Sequence, residues 1–310
     1  MTIKNYDFLK TIAEYYFRDN FIYHQLAFSQ AIKLTNFYKN RKAKTRKSSL
    51  FDLDIINEEL FQLILKKCLI ADLDLEFYLT KIRKKLLKKF LSKRDNQFFM
   101  KIYKFLIVFA EQKFFCEFIY QETDEEKELI KKLENKIKKK DDFCELSILL
   151  ISLYKPLNKC NYLREKLVSY ISKSNEFNEF LKYVFHDPDK DKQVSRSMKS
   201  LSNFSNKTSR LMKSQYEENP FPRWRYTLRP MEGNNINEFT KRYSRTFFKK
   251  PEILIAGCGT GQQAIAWSAY KDSKIYAVDL SSVSLAYAVR KADEKNIKNI
   301  SFYHLDLLDL

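Results

Sequence analysis

The stretch Ile253-Leu254-Ile255-Ala256-Gly257-Cys258-Gly259-Thr260-Gly261-Gln262 decides how this chain is read. Eighteen residues past Gly261 stands Asp279, closing a second apolar run, Lys274-Ile275-Tyr276-Ala277-Val278. An apolar run ending in clustered glycines, a helix-compatible stretch and a second apolar run ending in a carboxylate form the nucleotide-binding half of a βαβ unit. Residues 253–256 show no polar alternation, as expected of a parallel strand covered on both faces. Glycines at 257, 259 and 261 permit a sharp turn and bring main-chain N–H groups close to a ligand with no Cβ in the way. Those amides lead into a helix from Gln262, whose N-terminus favours an anionic group. Asp279, at the end of the second strand, is placed to accept hydrogen bonds from two ribose hydroxyls.

The dinucleotide fingerprint needs its third glycine one place later, where Gln262 stands. The Gly-x-Gly-x-Gly spacing instead resembles that of class I S-adenosylmethionine-dependent methyltransferases. A third strand is expected over Ile300-Ser301-Phe302-Tyr303-His304, followed by Leu305-Asp306-Leu307-Leu308. The resemblance implies that Gly257, Gly259 and Gly261 seat the methionyl end of S-adenosylmethionine, with Asp279 at the ribose and Leu280 beside it. It also implies that Asp306 holds the adenine amino group. One departure stands out: many relatives carry an acid two places before the first glycine, and this chain has Ile255 there. No catalytic base is implied, and His304 reads as a structural strand-end histidine.

A narrower resemblance rests on several strings. They are Gln215-Tyr216-Glu217-Glu218-Asn219-Pro220-Phe221-Pro222-Arg223-Trp224, the glycine loop, Asp279-Leu280-Ser281 with Ser284-Leu285-Ala286-Tyr287-Ala288, Phe115-Cys116-Glu117-Phe118-Ile119-Tyr120 read as helical, and Tyr154-Lys155-Pro156-Leu157. Together they look like the tetratricopeptide-associated class I methyltransferases of bacteria, over residues 60–310, although no N-terminal tetratricopeptide array is evident. That group supplies no methyl acceptor, protein or small molecule.

Composition sets the frame. The 310 residues suffice for about two domains, and 45% hydrophobic content supports a real core. Only 4 glycines and 6 prolines punctuate the chain, which argues for long helices outside the C-terminal part. Net charge is +18, yet residues 251–310 hold six bases against seven acids, so the excess lies in the first 250 residues. A basic surface attracts nucleic acid or anionic lipid, but lysines on solvated helix faces explain it more simply. Five cysteines form no C-x-x-C pair and read as reduced, mostly buried residues of a cytoplasmic protein. No secretory signal is visible at the N-terminus, and no apolar run reaches the ~20 residues of a membrane span.

Taken in order, residues 1–186 read as all-helical. Residues 6–38 are aromatic-rich and helical, the basic run 39–49 reads as a loop, and 53–70 and 73–91 form two amphipathic helices. Residues 98–120 should be a buried central helix. Thr123-Asp124-Glu125-Glu126 is a capping box opening a charged helix to about residue 140. Helices follow at 143–154, 162–171 and 176–185, in hairpins able to stack as a solenoid-like layer. Residues 187–250 read as a Ser-rich linker, polar over 187–214, and then a strap, and 251–310 as a partial Rossmann-like domain. Two prolines make residues 215–224 a rigid strap that either packs on the next domain or closes over the cofactor. The expected fold is α plus α/β, with three parallel strands. A doubly wound sheet places a fourth strand against the first, so the chain reads as C-terminally truncated, and inactive as it stands. The competing reading is a non-catalytic basic helical scaffold that binds a protein partner or RNA.

Overall fold

The computed structural model describes residues 3–43, 53–92, 95–139, 143–217, 220, 222–226, 235–241, 243 and 245–309. The chain divides into two compact units, Met1–Pro188 and Asp189–Leu310. The first is helical and the second carries a parallel three-stranded sheet, as the sequence predicts. Among the described residues, no helix is long and apolar enough to cross a membrane.

The first unit contains α1 (Ile3–Arg18), α2 (Phe28–Ala43), α3 (Leu53–Ile56), α4 (Glu59–Lys67), α5 (Leu73–Ser92), α6 (Asn96–Lys101), α7 (Tyr103–Phe115), α8 (Asp124–Lys138), α9 (Glu145–Ser152), α10 (Asn161–Val168) and α11 (Asn175–Leu181). Its centre is α7, buried along most of its length and packed on α4, α9 and α11. Three expectations change. The helix expected over 53–70 breaks because the Glu58 carboxylate caps a new helix, accepting from Phe61 N at 2.7 Å. The central helix is interrupted at Ile102 and ends at Phe115, so residues 116–120 of the string read as helical are not: Glu117 and Phe118 are left-handed, with φ of 52° and 57°. The basic run 39–49 is helical through Ala43, and residues 44–49 lie outside the described residues.

The capping box at Thr123 forms as the spacing predicts, and its glutamate serves twice. Glu126 Oε2 accepts from Thr123 N at 2.9 Å, while Oε1 accepts from Arg83 Nε at 3.1 Å and the Tyr154 hydroxyl at 3.0 Å. Arg83 and Glu126 are 1% and 0% exposed, a buried ion pair in which Arg83 Nη2 also donates to the Gln121 carbonyl at 2.7 Å and the guanidinium lies over the Tyr154 ring. Beside them Lys113 is fully buried, with its amine over the Tyr120 ring and no hydrogen-bond partner among the described residues. Burial first and the Arg83 charge second push its pKa down to about 6, against weaker upward pulls from Cys116, Glu76 and Glu122.

The second unit takes in much of what the sequence suggested as a linker. A short π-helix (Lys182–His186) runs directly into α12 (Asp187–Ser197), and the division between the units falls inside α12. The wide turn accommodates Pro188, which has no N–H to give. α13 (Lys207–Glu217) and α14 (Ile236–Thr240) follow, then β1 (Glu252–Ala256), α15 (Gln262–Trp267), β2 (Lys274–Asp279), α16 (Ser282–Glu294) and β3 (Ile300–His304). Of the strap, Glu218, Asn219 and Phe221 lie outside the described residues. Asp191 of α12, 3% exposed, receives Arg290 of α16 through Nε at 2.6 Å and Nη2 at 3.0 Å, and α13 packs on α16. A polar segment is thus folded onto the sheet domain by a few buried contacts.

The strands run in parallel order β1-β2-β3, with Ile255 level with Ala277 and Ala277 with Phe302. Residues of both crossover helices meet the strands in one core, formed by Ile255, Ala264, Ala277 and Leu285, as right-handed connections between successive parallel strands lead one to expect. β1 is therefore covered on one face, not both: Leu254 points the other way and is 55% exposed. Residue Ser200 pairs with His304 on the outer side of β3, and Leu201 N donates to the His304 carbonyl at 2.9 Å.

The depressed pKa of Lys113 has a defined sign. Between pH 6 and 10.5 the unfolded chain binds a proton that the folded chain does not, so stability rises with pH in that window, by up to ~1.4 kcal/mol per unit. Lys113→Met is expected to stabilise the protein at pH 7 by on the order of 3 kcal/mol and to flatten the slope, checked by urea unfolding of both proteins from pH 6.5 to 9.

Candidate functional site

The parallel register brings the ends of β1, β2 and β3 to one level. Just past them the chain forms a cavity of about 540 Å³, within the ~300–1,000 Å³ of small-molecule sites. Five of the six residues singled out in the sequence line it: Gly257, Gly259, Asp279, Leu280 and Asp306. The sixth, Gly261, does not. Its φ is +78° and a Cβ there would lie 2.5 Å from the Ala288 Cβ, so it lets the start of α15 close on α16. Gly259, with φ +52°, has nothing within 4 Å of where a Cβ would stand, which leaves the loop open on the cavity side.

Residues 258–261 form a tight turn, with Gly261 N bonded to the Cys258 carbonyl at 2.9 Å, and Cys258 N tied to Val278 O at 2.9 Å. Asp279 then locks the loop to β2. Its Oδ2 accepts from Gly259 N at 2.7 Å and its Oδ1 from Ser281 N at 2.8 Å. Each oxygen keeps a second lone pair for a ligand. Asp306 is 5% exposed; its N–H donates to the Ser202 hydroxyl at 2.8 Å and its Oδ1 accepts from Leu308 N at 3.1 Å.

Cys258 lines the same cavity, but burial first and the Asp279 charge second push its thiol well above the ordinary range, which keeps it protonated and poorly nucleophilic. His304 is not in the lining; it bonds the Leu280 carbonyl through Nε2 at 3.0 Å and packs against Phe204 at 5.0 Å, a structural role. Ile255 is 6% exposed in the sheet core.

Sequence reasoning missed part of the wall. Met212 and Tyr216 of α13 and Pro222 of the strap line the cavity beside Thr260, Gln262, Gln263, Ser284 and Leu307. Ser281 ties this wall to β2's end by donating its hydroxyl to the Tyr216 carbonyl at 3.1 Å. The strap string carried a signal for Tyr216 and Pro222; nothing in the polar run before it marked Met212 or Ser202.

Residues 253–310 match the family model of a methyltransferase domain. The matched residues hold the glycine loop and both carboxylates, while the α13 and strap wall lies before them. No curated protein and no solved structure gives a significant match. Among the described residues of the chain, no cluster of His, Cys, Asp and Glu is arranged to hold a metal ion.

The two glycines are expected to separate on substitution. Gly261→Ala combines a left-handed backbone with a clash against Ala288 and should destabilise the second unit by ~3 kcal/mol, whereas Gly259→Ala meets open space and should cost ~1 kcal/mol. Denaturant unfolding of the two variants distinguishes them.

Proposed function

We propose that the second unit binds S-adenosylmethionine and transfers its methyl group to an acceptor. One observation carries the reading: the ends of β2 and β3 present Asp279 and Asp306 to one cavity whose lining, among the described residues, contains these two carboxylates and no Lys, Arg or His. Such a lining offers no cation to a dinucleotide's pyrophosphate and sets acceptors at two strand ends, where a nucleoside's ribose hydroxyls and adenine amino group can donate to them. The match of residues 253–310 to a methyltransferase domain supports the same assignment. Unlike the sequence expectation, the helix after the loop is only six residues long, so the case rests on the loop amides and carboxylates and not on a helix dipole.

In this reading Gly257 and Gly259 admit the methionyl end close to main chain, Asp279 accepts from the two ribose hydroxyls, Leu280 flanks the nucleoside and Asp306 accepts from the adenine amino group. The bound cofactor supplies an electrophilic methyl carbon for in-line displacement. The chain's own contribution is orientation and exclusion of water. Asp279 is already held by Gly259 N and Ser281 N, so it needs no rearrangement to receive a ribose. We further assign the chain to the tetratricopeptide-associated type, on the strings at 215–224 and 279–288 and the helical unit ahead of them.

Titration calorimetry of the full chain tests this. S-adenosylmethionine and S-adenosylhomocysteine are expected to bind at one site and NAD not to bind, with Asp279→Ala weakening binding at least ~10-fold. Heat from NAD alone, or none from either sulfur compound, sinks the reading.

A further inference from the structure

The strap is more than a wall. Trp224 is 4% exposed and packs edge-on against Tyr287 of α16, with ring centroids 6.1 Å apart, in a small core with Ile265 and Ile297. The Tyr287 hydroxyl donates to the Trp224 carbonyl and accepts from Trp224 N, at 3.2 Å for the latter. The indole Nε1 donates to the Thr260 carbonyl at 3.0 Å, and the Thr260 hydroxyl donates to the Pro222 carbonyl at 2.8 Å. The contacts form a closed circuit from α16 to the strap, to the glycine loop and back to the strap.

Thr260 stands between Gly259, whose N–H meets Asp279, and Gly261, which opens α15. Glycine gives up more backbone freedom on ordering than any other residue, so a loop with glycines on both sides of Thr260 gains from restraint beyond its own Gly261 N–Cys258 O bond. Asp279 holds the Gly259 end of the loop, and the strap restrains the Thr260 end through neutral groups that are 3% and 4% exposed.

We infer that Trp224 is a positioning residue for the cofactor: its indole N–H fixes the Thr260 carbonyl and the peptide plane it shares with Gly261, and so holds the far side of the turn that carries the Gly259 amide to Asp279 and the ligand. Thr260, clasping Pro222, completes the restraint. This inference rests on the S-adenosylmethionine reading of the cavity. A Trp224 that merely filled the core would tolerate loss of the N–H with no effect on the ligand beyond general stability.

The test measures S-adenosylhomocysteine affinity of the full chain by calorimetry. Trp224→Phe keeps an aromatic ring and removes the donor, leaving a buried carbonyl unpaired, and is expected to weaken binding about 10-fold. Thr260→Val, which removes the hydroxyl at nearly constant shape, should weaken it several-fold, and Thr260→Ser, which restores the hydroxyl, should recover most of that loss. Ile297→Val, in the same core but away from the loop, should lower the melting temperature with affinity unchanged. Wild-type affinity in Trp224→Phe and Thr260→Val, or an equal loss in Ile297→Val, overturns the positioning role. If Trp224→Phe fails to fold, the Val and Ser pair at Thr260 decides. Absence of binding by the wild-type chain fails the cofactor reading itself and removes this inference with it, whereas binding that all variants retain fails the inference alone.

Discussion

The parallel alignment of β1, β2 and β3 is the constraint from which the rest of the site follows. With Ala256 level with Val278, and Val278 with Tyr303, the chain leaves all three strands at the same height. Gly257, Asp279 and Asp306 emerge together although 49 residues separate the first from the last. The bond from Gly259 N to Asp279 then joins the first crossover to the second strand, so that the turn and the carboxylate are one rigid object. Sheet pairing does the long-range positioning, and a few main-chain donors do the fine adjustment.

How legible was this from sequence? The strands, the turn and both strand-end carboxylates were, because apolar runs closing on Gly or Asp are local signals. The roles of the glycines were not separable, since the approach of Gly261 to Ala288 exists only once α16 has folded back. The Ser-rich segment was the larger miss. Its composition is polar, and its attachment comes from partners far along the chain: Asp191 with Arg290, Ser202 with Asp306, Tyr216 with Ser281. Hydropathy registers such residues as solvated, while the structure buries the first two of these three pairings. In the helical unit, the break at Glu58 escaped because an apolar pattern looks continuous even where a carboxylate caps a new helix within it, and the break at Ile102 has no side-chain cap to mark it.

The helical unit shows how much polarity a core can take when geometry is good. Arg83, Glu126 and Tyr154 satisfy one another and a helix N-terminus at once. Lys113, a few residues beyond the middle of the most buried helix, has no such arrangement and gives up its charge. The contrast separates a buried cation that is paired from one that is only enclosed.

One feature of the sheet reaches beyond the cavity. Residues 200–202 run alongside β3 and take up the His304 carbonyl, so that margin is partly occupied at its C-terminal end, while among the described residues no strand pairs with the other edge of β1. The sheet has a polarity of growth: further strands are accommodated at β1, next to the half-exposed Leu254, and not across the cavity end of β3. Any added strand would come to lie at the mouth of the glycine turn, so extension of the sheet and enlargement of the ligand chamber are a single geometric event.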